Sequence, residues 1–318
     1  MSRLADLDDP SLVATASAPI ADAPKPDRSE SLLRRHVSTF VESRGAVAGL
    51  VVLVTVVLAA LFAPFIAPQN PYDLSQLDIM DNMLRPGQAL ASGTTAWLGT
   101  DDQGRDMLSA ILYGLRISLE VGTISVLIAC AIGVSLGVLA AYAGGWVETL
   151  VMRVVDLQLS FPAILIALVL LAVFGRGVDK VVLALVLVQW AYYARTVRGS
   201  ALVETRREYI EAARCLALPE SRIVFRHLLP NCLPPVIVVA TVQIAHAIAL
   251  ESTLSFLGVG VPVTEPSLGM LIASGYNYLL SGKYWISTFP GVALVIVIVA
   301  INLVGDRLRD VLNPRLAR

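Results

Sequence analysis

Glu211-Ala212-Ala213, then Ala217, then His227-Leu228-Leu229-Pro230 punctuate a polar island, Arg195–Asn231, between two apolar runs, Val181–Ala194 and Leu233–Leu250. A basic insert between such runs predicts membrane spans joined by a loop, and the island reads as a helical pair presented at the membrane surface. Thr205–Leu216 lacks Gly and Pro and is rich in helix formers, with Leu202, Tyr209, Ala213 and Leu216 near helical spacing as one apolar stripe. Glu211 falls toward the C-terminal part of this helix. Pro219 breaks it, Glu220–Leu229 makes a second helix, and Pro230 ends that helix where the next span begins. Arg206, Arg207, Arg214, Arg222 and Arg226 rim the pair. Two short helices with a bend fit a helix-in-groove docking mode, and the rival reading is a basic helix touching anionic lipid. The Glu-Ala-Ala triplet with its distal Leu-Pro favours docking.

Outward from the island the chain is membrane-like. Hydrophobic residues are 56% of 318, charged residues 15%, and mean hydropathy is +0.72, against roughly 45–50% apolar and about 25% charged in soluble domains. Further uncharged or nearly uncharged runs are Ala46–Ile66, Val121–Tyr142, Leu159–Gly175 and Ile286–Val304. With Val181–Ala194, the weakest, and Leu233–Leu250, the pattern predicts six spans and an all-α polytopic membrane protein. With the N-terminus inside, the inner segments carry 18 Lys and Arg and the outer ones six, which favours both ends in the cytoplasm. The first 30 residues, rich in Ala, Asp, Pro and Ser without an apolar core, read as a disordered cytoplasmic tail rather than a signal peptide.

The long outer loop after the first span contains Pro68, Pro71 and Pro86 and reads as irregular to about Thr100. Leu98-Gly-Thr-Asp101-Asp-Gln-Gly-Arg105-Asp106 then reads as a helix start, with Asp101 capping free amides and a short interfacial helix following. Arg105 has carboxylates nearby to hold it. Ala129, Gly133, Gly137 and Ala141 recur every fourth residue, a smooth stripe for close helix approach, read more readily as tight packing than as a sliding seam. Pro162 and Pro234-Pro235 read as helix starts.

Chemistry of the chain's own is not indicated. The only Gly-Lys pair, Gly282-Lys283, precedes Tyr284 and is no Walker A loop, and G-x-S-x-G and H-E-x-x-H motifs are absent. Cys130, Cys215 and Cys232, and His36, His227 and His246, have no metal-ligand spacing. Glu251 ends an apolar run just before Ser252, Ser255, Gly258, Gly260 and Pro262. An acid there, beside broken backbone, belongs on a translocation path or against a partner, or else caps local amides at the interface. His246 reads as an interhelical hydrogen bonder before it reads as a proton relay. A proton-coupled secondary transporter using Glu251 and His246, or a membrane sensor or scaffold, are the rival classes, and neither explains the Glu-Ala-Ala loop.

The island resembles the E-A-A motif of ABC-importer permeases: Glu211, Ala212, Ala213, Leu229 and Pro230 match, Ala217 stands where glycine is usual, and His227 where isoleucine is. The missing glycine leaves Pro219 as the alternative source of the bend. Leu98-Gly-Thr-Asp-x-x-Gly-Arg-Asp106, Leu254-Ser-Phe-Leu-Gly258 and Leu308-Arg-Asp-x-Leu-Asn-Pro-Arg315 are similar to the DppC/OppC-type subunit of dipeptide/oligopeptide importers, with Leu268 at a place where tryptophan is common. The resemblance covers roughly Ala46 to Arg318. It implies a type I ABC-importer permease fold in a bacterial cytoplasmic membrane. The tail is then 1–30, the first helix and outer loop 31–116, the permease domain 117–306 with coupling loop 195–231, and the C-terminal cytoplasmic tail 307–318. It also implies a homologous second permease, two cytoplasmic ABC ATPases and an extracytoplasmic solute-binding protein as partners beside membrane lipid, and no nucleic acid. ATP and Mg would act through the ATPases, with no cofactor, metal or catalytic residue on this chain. Coupling would fall to Glu211, Ala212, Ala213, Ala217, Pro219, Leu229 and Pro230, and the path to Glu251, Ser252 and Ser255. Asp101, Arg105 and Asp106 would serve folding or binding-protein docking. Peptides, nickel, glutathione or a related small solute all fit the resemblance.

Overall fold

The computed structural model describes residues 32–312 except 74, 76, 263 and 266, with side chains from residue 37. The tail expected over 1–30 and the end of the motif reaching Arg315 lie outside the described residues. Contacts divide the chain into two units at Ser38, a division that helix α1, Leu32–Val41, crosses; the helical bundle belongs to the unit from Thr39 onward.

The architecture is all-α. Helices α2 (Arg44–Leu61) and α3 (Ala63–Ile66) lead into the outer loop, where β1 (Gln88–Ala89) and β2 (Thr95–Ala96) form a small antiparallel hairpin. Then come α4 (Met107–Ala143), α5 (Gly145–Leu159), α6 (Ala163–Phe174), α7 (Val178–Glu204), α8 (Glu208–Cys215), α9 (Glu220–Arg222), α10 (Leu229–Phe256), α11 (Leu268–Tyr276) and α12 (Trp285–Leu312). Among the described residues five helices are long and apolar enough to cross a membrane: α2, α4, α7, the continuous Glu220–Phe256 and α12. The pair α5 and α6, bent by 91°, adds a sixth when taken as one broken span.

The structure corrects three expectations. The second span begins at Met107 rather than Val121, so no separate interfacial helix precedes it. The third is split, because α6 at 12 residues reaches only about 18 Å of the roughly 30 Å needed. Helix α5 supplies the rest, starting at Gly145 after its N-cap Gly144, at φ 56° and 61°, and held to α7 by Glu148–Arg198 and Asp156–Arg195 pairs. Pro162, read as a helix start, does precede α6. Pro234 and Pro235 do not start a helix but lie inside α10.

The apparently weakest span is the centre of the bundle. Helix α7 packs closely on α4, where a Cβ at Gly133 would lie 2.6 Å from the Tyr193 Cβ and one at Gly137 2.6 Å from the Ala194 carbonyl oxygen. The small-residue stripe is thus tight packing within this chain. Residue numbers rise together along this contact, so α4 and α7 run parallel, with α5 and α6 as the return. A helix enclosed by protein tolerates the buried Gln189 and Tyr193, which lowers its apolar signal. Peripheral α2 instead exposes Val51, Val54, Val57 and Leu58 and meets α12 where Gly49 admits Leu303.

Candidate functional site

The polar island forms at the end of α7. Helix α7 runs on to Glu204, ten residues beyond the predicted span, and α8 covers only Glu208–Cys215. Its inward face is Ile210 and Ala213, both buried against Ile223 and Leu228. The predicted stripe is corrected accordingly, since Leu216 is 74% exposed and Tyr209 lies at the rim. Tyr209 donates to Glu204 Oε2 at 2.7 Å and accepts from Asn231 Nδ2 at 3.1 Å. It thereby ties the end of α7 to the start of α10. Burial first, then the bond to Glu204, push its phenol up to about 12, so the hydroxyl stays a donor.

Glu211 lies in the first turn of α8, not toward its C-terminus, where the helix dipole favours an acid. Glu211, Ala212, Arg214, Ala217 and Pro230 are exposed, beside Leu216 and Phe225. Among the described residues Glu211 makes no ion pair. Leu229 is half-buried, and neighbouring Leu228 is the anchoring leucine.

Ala217 makes the turn that glycine would make, at φ 52°. Its N–H bonds the Arg214 carbonyl at 2.9 Å and the Leu218 N–H bonds the Ala213 carbonyl at 3.2 Å, the paired bonds of a Schellman helix end. Pro219 therefore does not substitute for the glycine but opens α9 as its N-cap. The second helix of the island is not terminated at Pro230. It continues through a π-helical turn, Ile223–Leu228, into α10. A displacement of that helix is a displacement of the membrane span itself.

At the opposite end of the bundle, Asp101, Arg105 and Asp106 come together with exposures of 0%, 1% and 0%. Asp101 Oδ2 accepts from Arg105 Nε at 2.6 Å, and Oδ1 accepts the N–H groups of Gln103 and Arg105, each at 2.9 Å. Asp101 thus closes a loop, and the helix cap is Asp106, whose Oδ2 accepts from Ser109 N and Oγ at 2.8 and 2.7 Å. The Asp106 N–H donates to Gln69 Oε1 at 2.7 Å. Burial pushes the Asp106 carboxyl up, while the Ser109 bonds oppose the shift. Trp285 Nε1 donates to the Thr100 carbonyl at 3.1 Å, which fastens the loop to α12. The glycines of the motif are steric: at Gly99, φ 80°, a Cβ would lie 2.7 Å from Leu84 O.

Glu251, Ser252 and Ser255, expected on a path, are 0%, 3% and 1% exposed. Glu251 Oε2 accepts from Ser118 Oγ of α4 at 2.9 Å and from Ser252 Oγ at 3.3 Å, and Oε1 from Ser255 Oγ at 2.8 Å. The trio is buried in the interior, where α4 and α11 meet α10. Ser118, the residue that joins Glu251 to α4, carries no sequence signal, being one more serine in an apolar helix. His246 is exposed on α10 and does not share this cage.

Long apolar helices, a tightly packed parallel pair and an exposed helical element continuous with a span define a polytopic membrane transport subunit. The family model for the inner membrane component of binding-protein-dependent transport systems matches residues 133–318, and that for the N-terminal transmembrane domain of oligopeptide transport permease C matches 31–86. The chain belongs to this family of binding-protein-dependent ABC-importer permeases. It is 36% identical to the di/tripeptide transport system permease protein DppC of Pseudomonas aeruginosa, over 95% of this chain and 97% of that one. It is 41% identical to the dipeptide transport system permease protein DppC of Escherichia coli, over 87% and 91%. A chain of the MetNI methionine ABC transporter, solved in inward-facing conformations, matches with a TM-score of 0.54 at 24% identity, over 65% of this chain and 98% of that one. That match speaks for the fold.

Proposed function

We propose that this chain forms half the path of an ATP-driven importer of dipeptides or oligopeptides, with both termini in the cytoplasm. Two ABC ATPases dock on it and on a homologous permease, and an extracytoplasmic binding protein delivers the solute. ATP and Mg bind to the ATPases. Its coupling loop, residues 195–231, is held at the cytoplasmic surface, with Glu211, Ala212, Ala213, Ala217, Pro219, Leu229 and Pro230 in or beside the groove of one ATPase. The observation that carries this reading is the exposed Glu211, without an ion pair among the described residues, on a helix whose buried face rests on the continuous Glu220–Phe256 helix. ATPase closure that moves α8 moves that helix, and through it the span. The peptide assignment draws on the DppC relatives. Asp101, Arg105 and Asp106 act in folding the outer end, whose buried network leaves little for a binding protein to grasp.

Reconstitution with both ATPases, the second permease and the binding protein in liposomes tests the reading. The expected result is peptide uptake that needs ATP and all partners. Uptake driven by a proton gradient without the ATPases would replace it with secondary transport. Orientation is read separately: in a background lacking Cys130, Cys215 and Cys232, cysteine at Ser92 should label only from outside and at Ser221 only from inside.

A further inference from the structure

A pocket of about 390 Å³ opens beside the outer part of α4, between it, the start of α7 and the segment that leads into α11. That volume lies in the lower part of the ligand-pocket range. Arg116 and Glu120 line it from α4, Glu265 from the opposite segment, and Tyr72 and Tyr113 form its aromatic wall. The two rings meet edge to face, with centroids 5.3 Å apart. Among the described residues neither Arg116, Glu120 nor Glu265 forms an ion pair or a side-chain hydrogen bond. Arg116 and Glu120 sit one helical turn apart, a spacing that suits mutual pairing, yet both stand open to the pocket just before the uncharged run from Val121. This is a site with one cationic arm, two anionic arms and an aromatic side.

The ligand that satisfies such a site carries a positive end, a negative end and a short body. A guanidinium fork donates two parallel N–H bonds to a carboxylate, and a carboxylate accepts from an ammonium. Four residues of helix separate Arg116 from Glu120 by about 6 Å of rise, and a dipeptide backbone spans at most about 7 Å. Burial, then the charge of Glu265, push the Tyr72 phenol up to about 12, so it remains a hydrogen-bond donor. We propose that this pocket is a transient subsite for the zwitterionic backbone of a short peptide, Arg116 taking the carboxylate and Glu120 or Glu265 the ammonium. The inference rests on the proposed importer function and moves the polar contact with solute away from the sealed Glu251 cage.

The test uses the full complex in liposomes with radiolabelled dialanine. Arg116→Gln and Glu120→Gln should each lower uptake about tenfold or more, the scale of a lost charge-assisted bond. Hydrolysis stimulated by liganded binding protein should stay within about twofold of wild type, since the change lies downstream of docking. Wild-type uptake in both variants overturns the subsite, as does stimulation that falls in step with uptake, which would assign the pocket to the binding protein. No uptake by the wild-type complex sinks the importer reading itself, a result distinct from failure of the variants alone. If the variants assemble poorly, Val178→Cys in the cysteine-free background serves instead: dialanine should slow its maleimide labelling, and N-acetyl-dialanine amide should not. Equal labelling with and without dialanine overturns the proposal.

Discussion

At one end of the bundle Arg105 and Asp101 are sealed in a loop and bonded to each other; at the other Glu211 and Arg214 stand exposed and, among the described residues, without an ion pair. Both segments read alike in sequence, as an acid within four residues of an arginine. The difference lies in what surrounds them. Where α4, α12 and the outer loop exclude water, a charge must find its counterpart inside the chain, because an uncompensated buried ion is costly. Where α8 lies on the surface, water solvates the charge at little cost, which leaves it available to another protein. The first arrangement builds the fold and the second offers a contact.

The sharpest break of this contrast is Arg105→Ala, which leaves Asp101 buried without its counter-ion. A loss of about 3–5 kcal/mol is expected, read as a sharp fall in the melting temperature and yield of the detergent-purified complex. Retained stability would mean that the outer network is not the clamp its geometry indicates. Glu211→Lys is the matching change at the exposed end. Folding stability should hold within about 0.5 kcal/mol, while ATP-driven uptake falls at least about tenfold through lost ATPase association or uncoupled hydrolysis. Transport at the wild-type rate would remove the loop from coupling and favour lipid contact.

Asp106 gives a graded test within the sealed end. Asp106→Ala should cost about 1 kcal/mol through loss of the cap. Its folded carboxyl is raised by burial, so the unfolded chain releases that proton first, and stability from this group falls as pH rises from below the unfolded value through the folded one. Asp106→Asn keeps a cap of equal rank and should flatten that part of the pH profile; an unchanged profile in thermal melts would show that another group sets it. The smallest effect is expected at Ala217. Helix α10 ends with the same paired bonds as α8, Gly258 N–H to Ser255 O at 3.0 Å and Val259 N–H to Leu254 O at 3.1 Å, and does so with a glycine at φ 76°. Alanine in the left-handed region costs about 1–2 kcal/mol, partly offset by the backbone entropy glycine loses on folding. Ala217→Gly should therefore stabilise α8 by about 0.5–1 kcal/mol, seen as slower amide exchange over residues 208–218 with transport retained. Faster exchange would mean that the alanine is not strained there.

The helical content, the apolar spans and the place of the polar helical island were legible along the chain, since lipid demands long apolar runs and charge collects between them. The Glu-Ala-Ala loop and the Asp101–Asp106 motif were found by residue type alone. Boundaries were less legible. The onset of α4 at Met107 lies before Arg116 and Glu120, charges that interrupt an apolar reading but not a helix. The faint signal of α7 arises because its neighbours are protein rather than lipid, so the residues that make it central also make it look like the poorest span.

Local order along the chain thus determined the class of protein and its helical character. Tertiary structure alone decided which charges are enclosed. It made Asp106 rather than Asp101 the helix cap, and closed Glu251 in a cage of serines from α4 and α10. It also left Arg116 and Glu120 facing a pocket. A side chain's solvation depends on elements distant in sequence, such as Ser118 and Glu251, 133 positions apart. No periodicity records such a pairing before the helices pack.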